Sequence, residues 1–160
     1  MPIYAVLLRG INLGKRRLTM ECLQRFFEEA GFQSIHTLLA SGNLIATTRL
    51  RSSKAVEGHV EHFLQQKLGY AVDTFVRTAE ELQTIANVCP FSGSDSAVAK
   101  VHIIFLKAPL SQSTVRFLKT AETAEDQLHI ADREIYWLRR GKLSESDFWD
   151  RPEIRSLKLP

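Results

Sequence analysis

Cysteine is scarce in this chain: Cys22 and Cys89 are the two in 160 residues. Thiols so far apart supply neither a disulfide framework nor the close pairs of a zinc ribbon, and in a cytosolic chain they are ordinarily reduced. Long apolar runs are missing too. The longest is a few residues, where a membrane-spanning helix needs about twenty, and the opening MPIYAVLLRG carries no cationic start and no cleavage site. The expectation is a cytosolic protein with no membrane partner. No low-complexity tract or sequence repeat interrupts the chain, and a hydrophobic fraction of 44% with nine Phe suffices for an ordinary globular core.

Charge of one sign is also in short supply, since the formal net charge is +3, but its distribution is uneven. Residues 1–77 hold ten Lys+Arg against six Asp+Glu, whereas residues 78–160 hold eleven against twelve. Arg9, Lys15, Arg16 and Arg17 supply four of those ten cations from one short stretch with no acid in it. A basic patch of this kind attracts phosphate, carboxylate or nucleic acid, or serves only solubility.

That stretch, residues 8–17 (LRGINLGKRR), follows an apolar run at 3–8 in which Ile3, Ala5 and Leu7 alternate with Tyr4, Val6 and Leu8. Apolar residues on both faces predict a central strand. Thr19 is placed to cap a helix whose Met20, Leu23, Phe26, Phe27 and Ala30 recur at helical spacing until Gly31. Strands are predicted at 35–40 and 44–48 around the turn composition Ser41-Gly42-Asn43. A second helix is predicted over 53–68, stopping at Gly69, and a fourth strand over 72–77. This β-α-β-β-α-β order is that of a ferredoxin-like unit.

Thr78 to Glu81 forms a capping box for a helix ending before Pro90, and 91–97, with Gly93 and three serines, reads as a loop between halves. A strand at 99–106, a helix capped by Ser111, strands at 127–131 and 134–138 and a short helix after Ser144 complete the chain. The expected fold is α+β: two associated ferredoxin-like halves, the second incomplete at its C-terminal end. Residues 1–77 form the first half, 78–98 a helix and linker, and 99–160 the second half. A lone sheet of this type covers one face with helices, yet the strands at 3–8 and 99–106 are apolar on both. Either the halves pack together or share strands, or a homodimer covers the second face.

In a β-α-β crossover the first two strands are parallel, which brings the end of the first strand to the same sheet edge as the following hairpin turn. The expected site is therefore the pair of loops carrying Arg9, Gly10, Asn12, Gly14 and Lys15 on one side and Ser41, Gly42 and Asn43 on the other. Arg9 and Lys15 supply charge, Gly10, Gly14 and Gly42 give backbone access, and Asn12, Ser41 and Asn43 supply orienting hydrogen bonds. The first helix begins nearby and adds its positive end. The expected partner is a small anionic ligand bearing phosphate or carboxylate, and no cofactor is implied. Turn chemistry alone explains the glycines and asparagines but not the cations beside them.

Arg9-Gly10-Ile11-Asn12-Leu13-Gly14-Lys15 after an apolar strand, followed by Ser41-Gly42-Asn43, resembles the bacterial family called domain of unknown function 1697. The resemblance is close over roughly the first 80 residues and looser beyond. It implies a cytosolic α+β protein of two ferredoxin-like units and brings no established reaction. Family members usually continue into a Thr-Arg-Asn-Trp type segment and a last helix. This chain instead runs through Asp150, Arg151 and Pro152 to Pro160 without that motif, the pattern of a natural short form or a truncated one.

Sharper chemistries find less support. His59 and His62 have metal-ligand spacing on a helix, but no third ligand is near in sequence, so they read as surface histidines. Cys22 and Cys89 read as packing residues, and His36 and His102 as strand residues that fit either a satisfied sheet or a pocket acid or base. Glu28 and Glu29 read as solubility charges. Arg16 follows Gly14-Lys15 where a phosphate loop needs Ser or Thr, so nucleotide hydrolysis is not indicated. Nucleic acid is the main competing partner, contacted through its phosphate backbone. The predicted third strand lacks base-stacking aromatics, the first has only Tyr4, and Arg49, Arg51 and Lys54 fall at the opposite edge. An enzyme using the same loops is a third reading, with no general base to name.

Overall fold

The structure is a computed structural model, described here over residues 1–12, 17–38, 42–91 and 99–160. It divides into two compact units, Met1–Val88 and Cys89–Pro160. No helix among the described residues is long and apolar enough to cross a membrane.

The first unit runs β1 (Ile3–Arg9), α1 (Met20–Glu29), β2 (Gln33–Leu38), β3 (Asn43–Thr47), α2 (Ser53–Leu68), β4 (Asp73–Thr78) and α3 (Ala79–Asn87). Its sheet has the order β2-β3-β1-β4 with every neighbouring pair antiparallel, so β1 is central as its two apolar faces require. Alternation puts Tyr4, Val6 and Leu8 on one face, where they join Leu44, Ala46 and Val76 against Leu23 and Phe27 of α1 and Val56, Val60 and Leu64 of α2. Each such side chain contributes about 1.5–3 kcal/mol of burial free energy.

The helix ends follow local chemistry. The Thr19 and Ser52 side chains accept from the backbone N–H groups of Cys22 and Ala55, satisfying donors that a helix start leaves open. Gly69 closes α2 in the left-handed conformation at φ 76°, and Thr78 with Glu81 forms the full capping box of α3. His59 ties the two long helices together: its Nε2 lies 2.8 Å from the Ala30 carbonyl at the end of α1. The strand expected over 35–40 begins earlier, at Gln33, because Ser34 takes φ 49° and makes a bulge that lets Gln33 pair with Thr47. Its expected last residues, 39 and 40, lie outside the described residues, as do Ser92 to Val98 of the expected inter-half loop.

The second unit runs β5 (Ala99–Phe105), α4 (Gln112–Thr120), β6 (Asp126–Ala131) and β7 (Glu134–Arg140), then two 3-10 turns at Leu143–Glu145 and Phe148–Asp150 and the short helix α5 (Pro152–Arg155). Its antiparallel sheet has the order β5-β7-β6, which repeats the arrangement β1-β3-β2 of the first unit. β7 is therefore the central strand, and β5, expected to be covered on both faces, is an edge strand with Val101 46% and Ile103 37% exposed. Where one short helix was expected after Ser144, the chain makes 3-10 turns first. α5 then starts at Pro152, whose fixed φ and missing N–H suit a first helical position. Leu106, Leu118, Leu128, Ile135, Trp137, Phe148 and Ile154 form the core.

Two charge arrangements support these sheets. At β4, the outward backbone N–H groups of Thr74, Val76 and Thr78 donate to the carboxylates of Glu61, Glu57 and Glu81 at 2.9, 2.9 and 2.7 Å. In the second unit Asp126 accepts from Trp137 Nε1 at 2.9 Å, Arg139 at 2.9 Å and the Ser146 hydroxyl at 3.0 Å. The Asp126 carboxylate thereby ties β6 to β7 and to the segment after it.

Candidate functional site

Two loops leave the same end of the first unit's sheet. Arg9 is the last residue of β1, exposed, and its guanidinium lies 3.6 Å from Asp73, its ladder partner at the start of β4. Both side chains are more than half exposed, so the pair contributes little stability and Arg9 can exchange partners. Gly10 follows at φ 75°, turning the chain off the sheet. Ile11 then folds back to 1% exposure, and its carbonyl accepts from the Tyr70 hydroxyl at 3.3 Å.

Asn12 brackets the loop. Its Oδ1 accepts from the Leu18 N–H at 2.7 Å and its Nδ2 donates to the Leu18 carbonyl at 3.2 Å. The amide thus reproduces a backbone pair between Asn12 and Leu18, then Thr19 opens α1 at once. This is a structural clasp as well as the polar position expected of it. Arg17, exposed, is at the returning limb.

On the other side Gly42 sits at φ 86°, and a Cβ there would lie 2.6 Å from Ile11 Cγ2 and 3.7 Å from Leu8 Cβ. Gly42, one residue before β3, therefore rests directly on Ile11 in the segment after β1. Asn43 opens β3 opposite Leu38. The structure accordingly brings Gly42 onto the Gly10–Asn12 segment and puts Arg9 beside Asp73. Gly14, Lys15 and Ser41 lie outside the described residues, as do Leu13 and Arg16.

The Nε2 of His59 is engaged at Ala30 and its ring packs 5.9 Å from Phe32, so it acts as a tie between helices. No group of three or more His, Cys, Asp or Glu among the described residues is arranged to hold a metal ion. Burial pushes the Tyr136 hydroxyl above its usual range, with the Glu134 carboxylate adding to the effect. A shallow apolar depression lies between α1 and α2, lined by Phe26, Phe27, Ala30, Val60, Phe63 and Leu64. Its lining has no polar group to orient a ligand.

Sequence reasoning missed the carboxylates along β4 and the Asp126 cluster. The signal for the first is visible in retrospect: Glu57 and Glu61 stand one turn apart beside Val56, Val60 and Leu64.

The family described as "Protein of unknown function (DUF1697)" matches residues 1–136. Among solved structures, the conserved bacterial protein SP0830 from Streptococcus pneumoniae is similar with a TM-score of 0.74 and 21% sequence identity, over 100% of this chain and 87% of that one. At that identity the likeness concerns the fold alone. No curated protein matches the chain. With a match running from the first strand to the middle of β7, the chain belongs to the DUF1697 family.

Proposed function

We propose that the first unit binds a small phosphate- or carboxylate-bearing ligand at the end of its sheet, in a cytoplasmic bacterial protein built from ferredoxin-like units. The β-α-β-β-α-β order with strand order β2-β3-β1-β4 supports the ferredoxin-like reading, and the second unit has the same plan without its last strand.

One observation carries the ligand reading: the seating of Gly42 against Ile11, which makes the two glycine-bearing loops neighbours. The stretch from 8 to 17 that contains Ile11 also carries Arg9, Lys15, Arg16 and Arg17 in sequence, with no acid among them. Asp73 holds Arg9 only weakly, and an arriving anion replaces one exposed partner with another. Gly10, Gly14 and Gly42 let backbone N–H groups come close, while Ser41 and Asn43 orient the ligand.

The test is a thermal-shift screen with inorganic phosphate, nucleotides and dicarboxylates. A ligand bound only by the native state raises the midpoint by mass action, about 2.7 kcal/mol at a hundred times its Kd. Arg9→Ala and Lys15→Ala should each abolish the shift while leaving the ligand-free midpoint nearly unchanged. No stabilisation, or stabilisation that survives both substitutions, rejects the site. Binding to single-stranded nucleic acid that falls steeply with salt, and flattens when Lys15, Arg16 and Arg17 are replaced, favours a polyanion instead.

A further inference from the structure

The free edge of a sheet is a template for another strand, and natural proteins block it with charges, bulges or covering side chains. Among the described residues, most edges here are blocked. Glu57, Glu61 and Glu81 occupy the outward N–H groups of β4. At β6 the Leu128 N–H donates to Glu122 and its carbonyl accepts from Lys119, two side chains that also pair with each other. β2 is bent by the bulge at Ser34.

β5 is different. Its seven residues pair with β7 in unbroken register. The ladder continues through the Leu106 N–H donating to the Arg133 carbonyl at 2.8 Å, so even-numbered residues of β5 direct their backbone groups to β7. Val101 and Ile103 therefore direct theirs outward, where no hydrogen bond from the described residues meets them. Their side chains share one face of the strand and are 46% and 37% exposed.

We infer that β5 pairs with β5 of a second copy of this chain, antiparallel about a two-fold axis at His102, joining two three-stranded sheets into one of six strands. The strand's own pattern selects a second copy. Reversal about His102 brings Val101 opposite the partner's Ile103, and Ile103 opposite the partner's Val101. The two exposed apolar residues thus become cross-strand neighbours and exchange both backbone hydrogen bonds at each pair. Lys100 falls opposite the partner's Ile104, so the register sets no two lysines opposite each other. The contact is isologous and closes on itself, leaving the capped β6 strands as the outer edges.

Sedimentation velocity of the full chain over about 1 to 100 µM tests this, since association follows mass action. The wild type should move from 18.2 kDa toward twice that mass as concentration rises. Val101→Pro removes an N–H that the β7 ladder does not use, and Ile103→Lys puts a charge on the joint. Each acts twice across the axis and should weaken association at least about tenfold, with the far-UV spectrum unchanged. In a Cys22→Ser, Cys89→Ser background, His102→Cys should form an intermolecular disulfide, because non-hydrogen-bonded partners have Cα atoms about 4.5 Å apart. A chain that stays monomeric throughout, a dimer that survives both substitutions, or a dimer that His102→Cys does not cross-link overturns the inference.

Discussion

Replacing Gly42 by Ala probes whether the two loops are mechanically joined. The residue sits at φ 86°, where an L side chain costs about 1–2 kcal/mol. The added Cβ would also stand 2.6 Å from Ile11 Cγ2, and Ile11 cannot swing aside because a β-branched side chain at 1% exposure has one accessible rotamer. Overpacking of this kind costs about 1–3 kcal/mol. Together the two effects predict a loss of about 2–5 kcal/mol from the first unit. Both tryptophans, Trp137 and Trp149, belong to the second unit, so fluorescence is silent on this change. Urea unfolding followed by far-UV circular dichroism, with hydrogen exchange on β1 and β3, is the suitable assay. Ile11→Ala removes the obstructing methyl, so the double variant should be more stable than additivity allows by about 1–3 kcal/mol. Gly58→Ala is the control. It lies inside α2 with nothing within 4 Å of a built Cβ, and the substitution should stabilise by about 0.5–1 kcal/mol. A Gly42→Ala protein within about 0.5 kcal/mol of wild type, or strict additivity with Ile11→Ala, would refute the reasoning.

Asp126→Ala leaves the Arg139 guanidinium buried without its carboxylate and should destabilise the second unit by about 3–5 kcal/mol. Trp137 emission should shift with it, because its Nε1 loses its acceptor. For Tyr136 the sign follows from burial, which raises the folded-state pKa above the ordinary tyrosine value of about 10. The folded state holds the proton more tightly than the unfolded one, so this contribution is complete below about pH 10 and is lost as pH rises through the folded value. Tyr136→Phe should flatten the alkaline limb of a stability profile, and an unchanged limb would remove the tyrosine from that account.

Much of the fold was legible because local chemistry and burial agreed. In α2 the Ser52 cap, the Val56-Val60-Leu64 stripe and Gly69 all point to the same helix, and the bounds 53–68 match the structure. β1 was recognisable as central from its two apolar faces. Misreadings came where tertiary demands overrode local pattern. Gln33 and Ser34 lie outside the strand expected over 35–40, yet a bulge holds them in β2. β5 looks like a buried strand, but β7 takes partners on both sides and leaves β5 at the edge. Of the candidate site, the approach of Gly42 to Ile11 agrees with crossover geometry. The clasp made by Asn12 was not legible, because an asparagine in a turn signals polarity without naming its partner.

The Asp126 cluster bears on how the chain folds as it leaves the ribosome. The first unit has all its sheet and helix partners once Val88 has emerged, and N-terminal domains generally fold first. The second unit must wait. Its carboxylate stays in water until Trp137, Arg139 and finally Ser146 have been synthesised, since burying the charge before its donors arrive is costly. Until then Leu128, Ile135 and Trp137 have no settled cover from Phe148 and Ile154. Synthesis therefore has an interval in which the strands of this half exist before the segment that covers their apolar face.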